Sequence, residues 1–491
     1  MKTSTLLKTA MLLCVAILFF HSCEEKKKEK QNENTETSST AAEAQTTYEL
    51  ADASETTPCE CESDWFPHTQ TPAPAEGDGS PFDTSSTTNC IFHQWSWQKF
   101  LWVTQPDANQ TPLFLRELKQ VDAQMTPVTV PSDVSLVLTA DEQASTDAIL
   151  KTNPNFDTQN GASATIYYGI YVNNTLEAAA EKYKTQILDG TLPHDNTQTF
   201  PVGSLEVKTS WVSTDIIPSD ELDKYYTTEA NIGTTKTTVA LLGVHVVGIV
   251  KNHPEFIWAT FEHQSLAPAF DWSKGTASTD TETLLFKKGS VSTIDGIQWN
   301  GSAPTTASEA YILFQYGVPR VKGSNSNNFM NTSQKEPKNY NNIVNINNCV
   351  ATNLKDVWNN YQYSGSIWMN TDKLTPEQQA DTIVKLGGKI ASATPKSIAR
   401  GSLNASNITM ETYAQTFEPS IDKIDVSNLA NCFSCHNAVN FQSQDSIKPS
   451  SPLYLSHLFN GYLALESGKT IDEINQMKIK EFKEDFLDKK K

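Results

Sequence analysis

Near the carboxyl end the chain carries Cys432-Phe433-Ser434-Cys435-His436, two thiols three positions apart with an imidazole directly after the second. On a helical turn, residues three apart share a face. Two sulfurs so placed can each add to one vinyl group of a porphyrin, while the histidine reaches under the ring to the iron. C-x-x-C-H is the spacing of covalent c-type haem attachment. It constrains this chain more tightly than any other feature, although it names a cofactor and not a reaction.

Other uses of the pentapeptide can be weighed. A thioredoxin-like dithiol would follow an apolar strand early in a βαβ unit, but Val426 to Asn431 is polar and lies late in the chain. Zinc would need a second pair of ligands, and no cysteine follows Cys435. A bare disulfide across two residues is the remaining alternative. The expectation is one covalent haem c, tethered by Cys432 and Cys435, with His436 as proximal iron ligand.

The second axial position is open to Met410, His457, Met477 or no protein ligand. Met410 and His457 are the leading candidates. Each has a plainer reading: methionines fill cores, and His457 stands among Leu455, Leu458 and Phe459 as a core histidine would. The other ring nitrogen of His436 needs a partner to fix the ring. A carbonyl in the Lys448-Pro449-Ser450 loop is expected to serve.

The amino end reads as an export signal. Lys2 and Lys8 precede an apolar run, Met11 to Phe20, too short to span a bilayer core of about 30 Å. It ends at Phe20-His21-Ser22-Cys23 and gives way to Glu24-Glu25-Lys26-Lys27-Lys28. Residues 1–22 are therefore expected to be a lipoprotein signal peptide and Cys23 a lipidated residue. An ordinary cleaved signal or an uncleaved anchor, with Cys23 incidental, is the alternative. Export agrees with haem c, which is attached outside the bacterial cytoplasm. The expected location is the cell envelope, lipid-anchored at the outer membrane, with the lipid as sole membrane contact.

A net charge of -19 over 491 residues argues against nucleic acid or an anionic bilayer surface as partner. Redox proteins of the envelope are the expected partners. Of eight cysteines, four are unclaimed by signal, lipid or haem: Cys59, Cys61, Cys90 and Cys349. In an oxidising compartment they allow two disulfides with three connectivities. A Cys59–Cys61 bridge would be strained, so each is expected to meet one of Cys90 and Cys349; free thiols are the alternative.

The expected architecture is α+β: a strand-rich N-terminal and central domain followed by a mainly α-helical, cytochrome c-like haem region. Residues 23–85 read as a disordered tether and a Pro/Gly-rich linker, 86–345 as the strand-rich domain, and 346–491 as the haem region. Order is expected near Cys90, where Ile91, Trp95, Gln98 and Trp102 form a helical stripe. Strands are predicted at 164–172, 204–211, 239–250 and 256–263, the last two as an antiparallel pair, with a helix at 176–188. Further helices are predicted at 376–386, 425–439, 453–465 and 471–487.

The strands suggest a second constellation. Glu206 and Lys208 share one strand face, opposite Leu205, Val207 and Trp211. If His245 and His263 face the same way, the four could do acid–base work or hold a metal. The plainer reading is a buried charge network that fixes sheet register.

Several segments in order resemble a known family: Phe92 to Leu101, Gly203 to Trp211, Gly243 to Val247, Trp258 to His263, Thr409-Met410-Glu411-Thr412-Tyr413 and the C-x-x-C-H motif. Together, over roughly residues 90–440, they resemble bacterial exported proteins labelled cytochrome c family proteins. The resemblance implies haem c and no particular reaction. The leading expectation is single-electron transfer. The competing ones are a haem-dependent peroxidase- or oxidase-like enzyme with its pocket in the strand-rich domain, and a haem-based sensor or binding lipoprotein.

Overall fold

The computed structural model describes residues 58–140, 164–266, 281–288, 339–386, 399–401, 407–411, 432–438 and 451–459, apart from 86, 194–196 and 457. Positions 153, 156, 270–271, 276–277, 297–299 and 309–311 are also described. Helices are α1 (Asn89–Thr104), α2 (Leu113–Glu117), α3 (Asn174–Leu188), α4 (Asn339–Asn353), α5 (Pro376–Leu386) and the single turn α6 (Cys432–Cys435). Strands are β1 (Lys119–Val121), β2 (Leu136–Ala140), β3 (Tyr167–Val172), β4 (Leu205–Ser213), β5 (Thr227–Ile232), β6 (Thr235–Val250) and β7 (His253–His263). Two small pairs follow, β8 (Phe270–Asp271) with β9 (Thr276–Ala277) and β10 (Ile297–Trp299) with β11 (Glu309–Tyr311). The last strands are β12 (Tyr361–Met369) and β13 (Ala399–Gly401).

Nine strands make one mixed sheet. Only β2 and β5 run parallel; every other pair in it is antiparallel. Pairings β2–β3, β3–β4, β4–β6, β6–β5 and β5–β2 form a closed circuit, from which β7, β12 and β13 extend. The long β6 turns into β7 through Lys251 and Asn252, with Val250 opposite His253. Asn252 takes a positive φ of 63°, a conformation that asparagine tolerates and a two-residue hairpin needs.

Alternation along each strand makes two faces. The first carries Val207, Val244, Val246, Ile257, Ala259, Phe261, Tyr361 and Tyr363 and packs on α1 and α4 in a single core. Phe100 of α1 stacks on Phe261 with ring centroids 4.0 Å apart. Gly248 admits Trp95: a Cβ there would lie 2.7 Å from the indole ring. Trp97 reaches Asn347 of α4, and Asn347 reaches the Tyr363 carbonyl.

α1 is buried nearly all round, as a central helix must be. The predicted stripe is therefore not its core side. Ile91, Gln98 and Trp102 are only half-buried, whereas Phe92, Phe100, Leu101 and Val103 are fully enclosed. The outer side is covered by residues 58–85, which the sequence suggested were a loose linker. Disulfides Cys59–Cys90 and Cys61–Cys349 fasten this segment, and Trp65 and Phe82 are buried in it. Gln94 donates to the Glu60 carbonyl and Gln98 to that of Pro72. The Glu76 carboxylate takes Lys99 at 2.8 Å and the Trp95 indole N–H at 2.7 Å. The proline-rich stretch here is a series of 3-10 turns, bends and extended backbone held by side chains and the two disulfides.

The strand-rich body agrees with expectation. Beyond residue 345 the described residues include the end of α4, the strands β12 and β13, α5 and the turn α6, and β12 pairs directly with β7. They do not display a cytochrome-like helical region. Of the helices predicted at 425–439 and 453–465, the structure describes the single turn Cys432–Cys435 and the 3-10 turn Pro452–Leu455; the helix predicted at 471–487 lies outside the described residues. No described helix is long and apolar enough to cross a membrane.

Candidate functional site

The second face of the sheet carries the chemistry. Register places its side chains in rows across the strands. One row runs Lys119, Val172, Glu206, Val247, Trp258, Ile367 through β1, β3, β4, β6, β7 and β12. The next runs Ile170, Lys208, His245, Thr260, and the third Tyr168, Ser210, Gly243, Glu262.

A turn at residues 407–411 docks on the second and third rows. It can sit so close because Gly243 has no side chain: a Cβ there would lie 2.3 Å from the Asn407 amide. Asn407 Nδ2 donates to the Phe261 carbonyl at 3.2 Å, Ser210 and Thr409 hydroxyls meet at 2.7 Å, and Tyr168 donates to the Thr409 carbonyl at 2.8 Å. Glu262 accepts the Ile408 N–H. His245 Nε2–H donates to the Glu411 carboxylate at 2.9 Å, and its Nδ1 meets the Thr260 hydroxyl at 3.1 Å.

The carboxylates differ in electrostatics. Burial pushes Glu206 up to about 7 against the pull of Lys208 and His245. Burial likewise raises Glu262 to about 7, opposed by the Ile408 N–H and His245. For Glu411 burial acts upward too, but His245, Lys208 and the Asn407 N–H together hold it below its ordinary value. Among the described residues no group of three or more His, Cys, Asp or Glu is arranged to hold a metal ion.

Glu206, Lys208 and His245 thus share a face as expected, but His263 does not join them. It follows Glu262 on β7 and so points to the opposite face. There it stacks on Tyr225 at 3.7 Å, donates through Nε2 to the Lys224 carbonyl and meets Ser265 through Nδ1. Burial brings it down to about 4, leaving it neutral. Glu262 and Glu411 take its place. The signal for Glu262 was its period-two spacing from Thr260; Glu411 is brought in by a turn that periodicity does not reveal.

The C-x-x-C-H segment lies against the first row. Cys432–Cys435 forms a helical turn that continues to the His436 N–H, 2.8 Å from the Cys432 carbonyl. Phe433 and Ala438 are fully buried beside it. His436 Nδ1 donates to the Leu455 carbonyl at 3.0 Å. The expected partner was a carbonyl in Lys448-Pro449-Ser450, which lies outside the described residues; the observed one belongs to the 3-10 turn Pro452–Leu455 just beyond. A carbonyl can only accept, so Nδ1 holds the proton and Nε2 the lone pair of the neutral ring.

The His436 ring lies 3.8 Å from that of Trp258. Trp258 is 7% exposed, and its Nε1–H has no hydrogen-bond partner among the described residues. Phe256 flanks Trp258, and Phe200 links Phe256 to Phe459 and Tyr183. Met410 is fully buried in the docked turn. Cys23, His457 and Met477 lie outside the described residues. Comparison of the chain with protein-family models, with curated proteins and with solved structures finds no match in any of the three.

Proposed function

We propose that the chain is an exported, lipid-anchored monohaem c-type cytochrome that transfers single electrons in the cell envelope. The observation that carries this reading is the C-x-x-C-H turn with His436 Nδ1 bonded to the Leu455 carbonyl, so that ligation of iron would fall to Nε2. The donor set fits the group in other respects. Cys432 and His436 are both partly exposed, and the orphaned indole N–H of Trp258 beside them supplies a donor for a polar edge.

A bound haem c would supply an iron able to gain and lose one electron. Cys432 and Cys435 would tether it, His436 would ligate it, and Met410 or His457 would provide the sixth ligand. Trp258 and the aromatic groups around it would exclude water from the imidazole. In this reading residues 346–491 contain the haem region. Cys23 carries the lipid, and the partners are envelope redox proteins. A haem-dependent oxidoreductase is the second reading, favoured by two buried carboxyls raised to about 7 on the same face as His436.

The test is expression in a host able to mature c-type cytochromes. Haem staining on a denaturing gel is expected for the full chain and lost in the double variant Cys432→Ala, Cys435→Ala. Staining retained in that variant, or absent from the full chain, overturns the reading. A reduced spectrum unmoved by carbon monoxide supports transfer; one that shifts favours the oxidoreductase. Met410→Ala moves the ferric spectrum toward high spin if Met410 is the sixth ligand.

A further inference from the structure

Glu206 is a buried carboxyl that the preceding reading does not use. It is 8% exposed and lies in the row that leads to His436. Val247 separates it from Trp258 in that row, so two interstrand spacings, about 10 Å in all, span the gap. Trp258 then contacts the His436 ring at 3.8 Å. Burying a carboxylate costs free energy, and Lys208 and His245 offset that cost only in part. The carboxyl is accordingly sensitive to any charge that changes nearby.

We propose that Glu206 is the proton acceptor coupled to reduction at the Cys432–His436 site: as one electron arrives from an external one-electron donor the carboxylate binds a proton from solvent more tightly, and it releases that proton on reoxidation. This rests on the haem reading above and names how that site responds to protons. The balance is one electron to the site and, for a tenfold change in proton affinity, up to about half a proton per electron to the Glu206 carboxylate near neutral pH. The sign follows from charge. An added electron disfavours a nearby carboxylate, so the reduced protein holds the proton more tightly than the oxidised one. The midpoint potential therefore falls as pH rises.

Among the described residues, the titratable and charged groups on this face of the surrounding elements are Lys208 on the same strand, Lys119 on β1, Tyr168 on β3, His245 on β6 and Glu262 on β7. Glu411 in the docked turn, Glu177 and Tyr183 on α3, and His436 complete them. Lys208 and His245 favour the ionised form of Glu206, and burial outweighs them, which puts its titration near neutrality. A unit charge about 10–15 Å away in a medium of effective dielectric about 20 changes its proton affinity roughly tenfold, equal to about 59 mV for one electron.

The experiment is potentiometry of the haem-loaded full chain from pH 5 to 9, followed by its visible spectrum. The wild type is expected to show a fall of that size centred near pH 7. Glu206→Gln is expected to flatten it with haem staining and absorption unchanged, while Glu262→Gln retains it. A pH-independent wild type, an unchanged slope in Glu206→Gln, or loss of the slope in Glu262→Gln instead overturns the proposal. Should Glu206→Gln not fold, proton uptake by the unbuffered wild type on reduction decides: uptake accompanied by a protonated-carboxyl band in the reduced-minus-oxidised infrared spectrum supports it, and no uptake overturns it. A full chain without haem by mass fails the earlier reading before any potential is measured.

Discussion

Glu262 and His263 are neighbours on β7 and have opposite fates, because one step along a strand changes the face. Alternation made Glu206 and Lys208 legible as a pair, and it would have excluded His263 had the phase been set from Thr260. Hydrogen bonding across the second face then decides which groups are charged. Folding raises Glu262 from an ordinary carboxyl value to about 7, so between about pH 4.5 and 7 the folded protein binds more protons than the unfolded chain. Its contribution to stability is therefore lost as pH rises through that window. With about 1.4 kcal/mol per pH unit, the loss amounts to at most about 3.5 kcal/mol. Glu262→Gln keeps an acceptor for the Ile408 N–H but cannot ionise. Urea unfolding at pH 5 and pH 8 should show a smaller loss of stability in the variant than in the wild type; equal losses would mean that burial of Glu262 does not govern its titration.

At the scale of elements, sequence periodicity located α1, α3, β3, β4, β6 and β7 within a few residues of their observed ends. It misjudged which side of α1 faces inward, since a helix buried all round has no single apolar stripe to read. Nor could it place the 407–411 turn, whose position depends on a distant glycine. Asn407, Thr409 and Glu411 all bond across to the sheet because Gly243 lets the backbone approach. Gly243→Ala would force the Asn407 amide away, and overpacking of this kind costs about 1–3 kcal/mol. The expected outcome is that loss in denaturant unfolding together with faster amide exchange at residues 408–411. Wild-type exchange rates in the variant would show that the turn does not need the gap. His245→Ala should loosen the same turn without touching Gly243, which separates the polar clasp from the steric one.

For the whole molecule, the two disulfides join the N-terminal segment to parts of the chain far apart in sequence. Cysteine counting restricted the pairing, and the structure resolves it as Cys59 with Cys90 and Cys61 with Cys349. What the count could not convey was that residues 58–85 are a wall of the core: a Pro- and Gly-rich composition reads as loose until the partners of Trp65, Glu76 and Phe82 are known. Cys61–Cys349 spans 288 residues and connects that wall to α4; Cys59–Cys90 spans 31. Loop-closure entropy grows with the logarithm of the span, so removing the longer bridge should cost about 2 kcal/mol more than removing the shorter, within a usual range of about 2–5 kcal/mol. Both ends of each bridge are to be replaced by serine so that no lone thiol remains to exchange. Urea midpoints of the two double variants, read without reductant and at matched slope, should place Cys61→Ser, Cys349→Ser below Cys59→Ser, Cys90→Ser. The reverse order would mean that the bridges act through local packing around α1, where Cys59 is the more deeply buried sulfur, and not by limiting the unfolded chain.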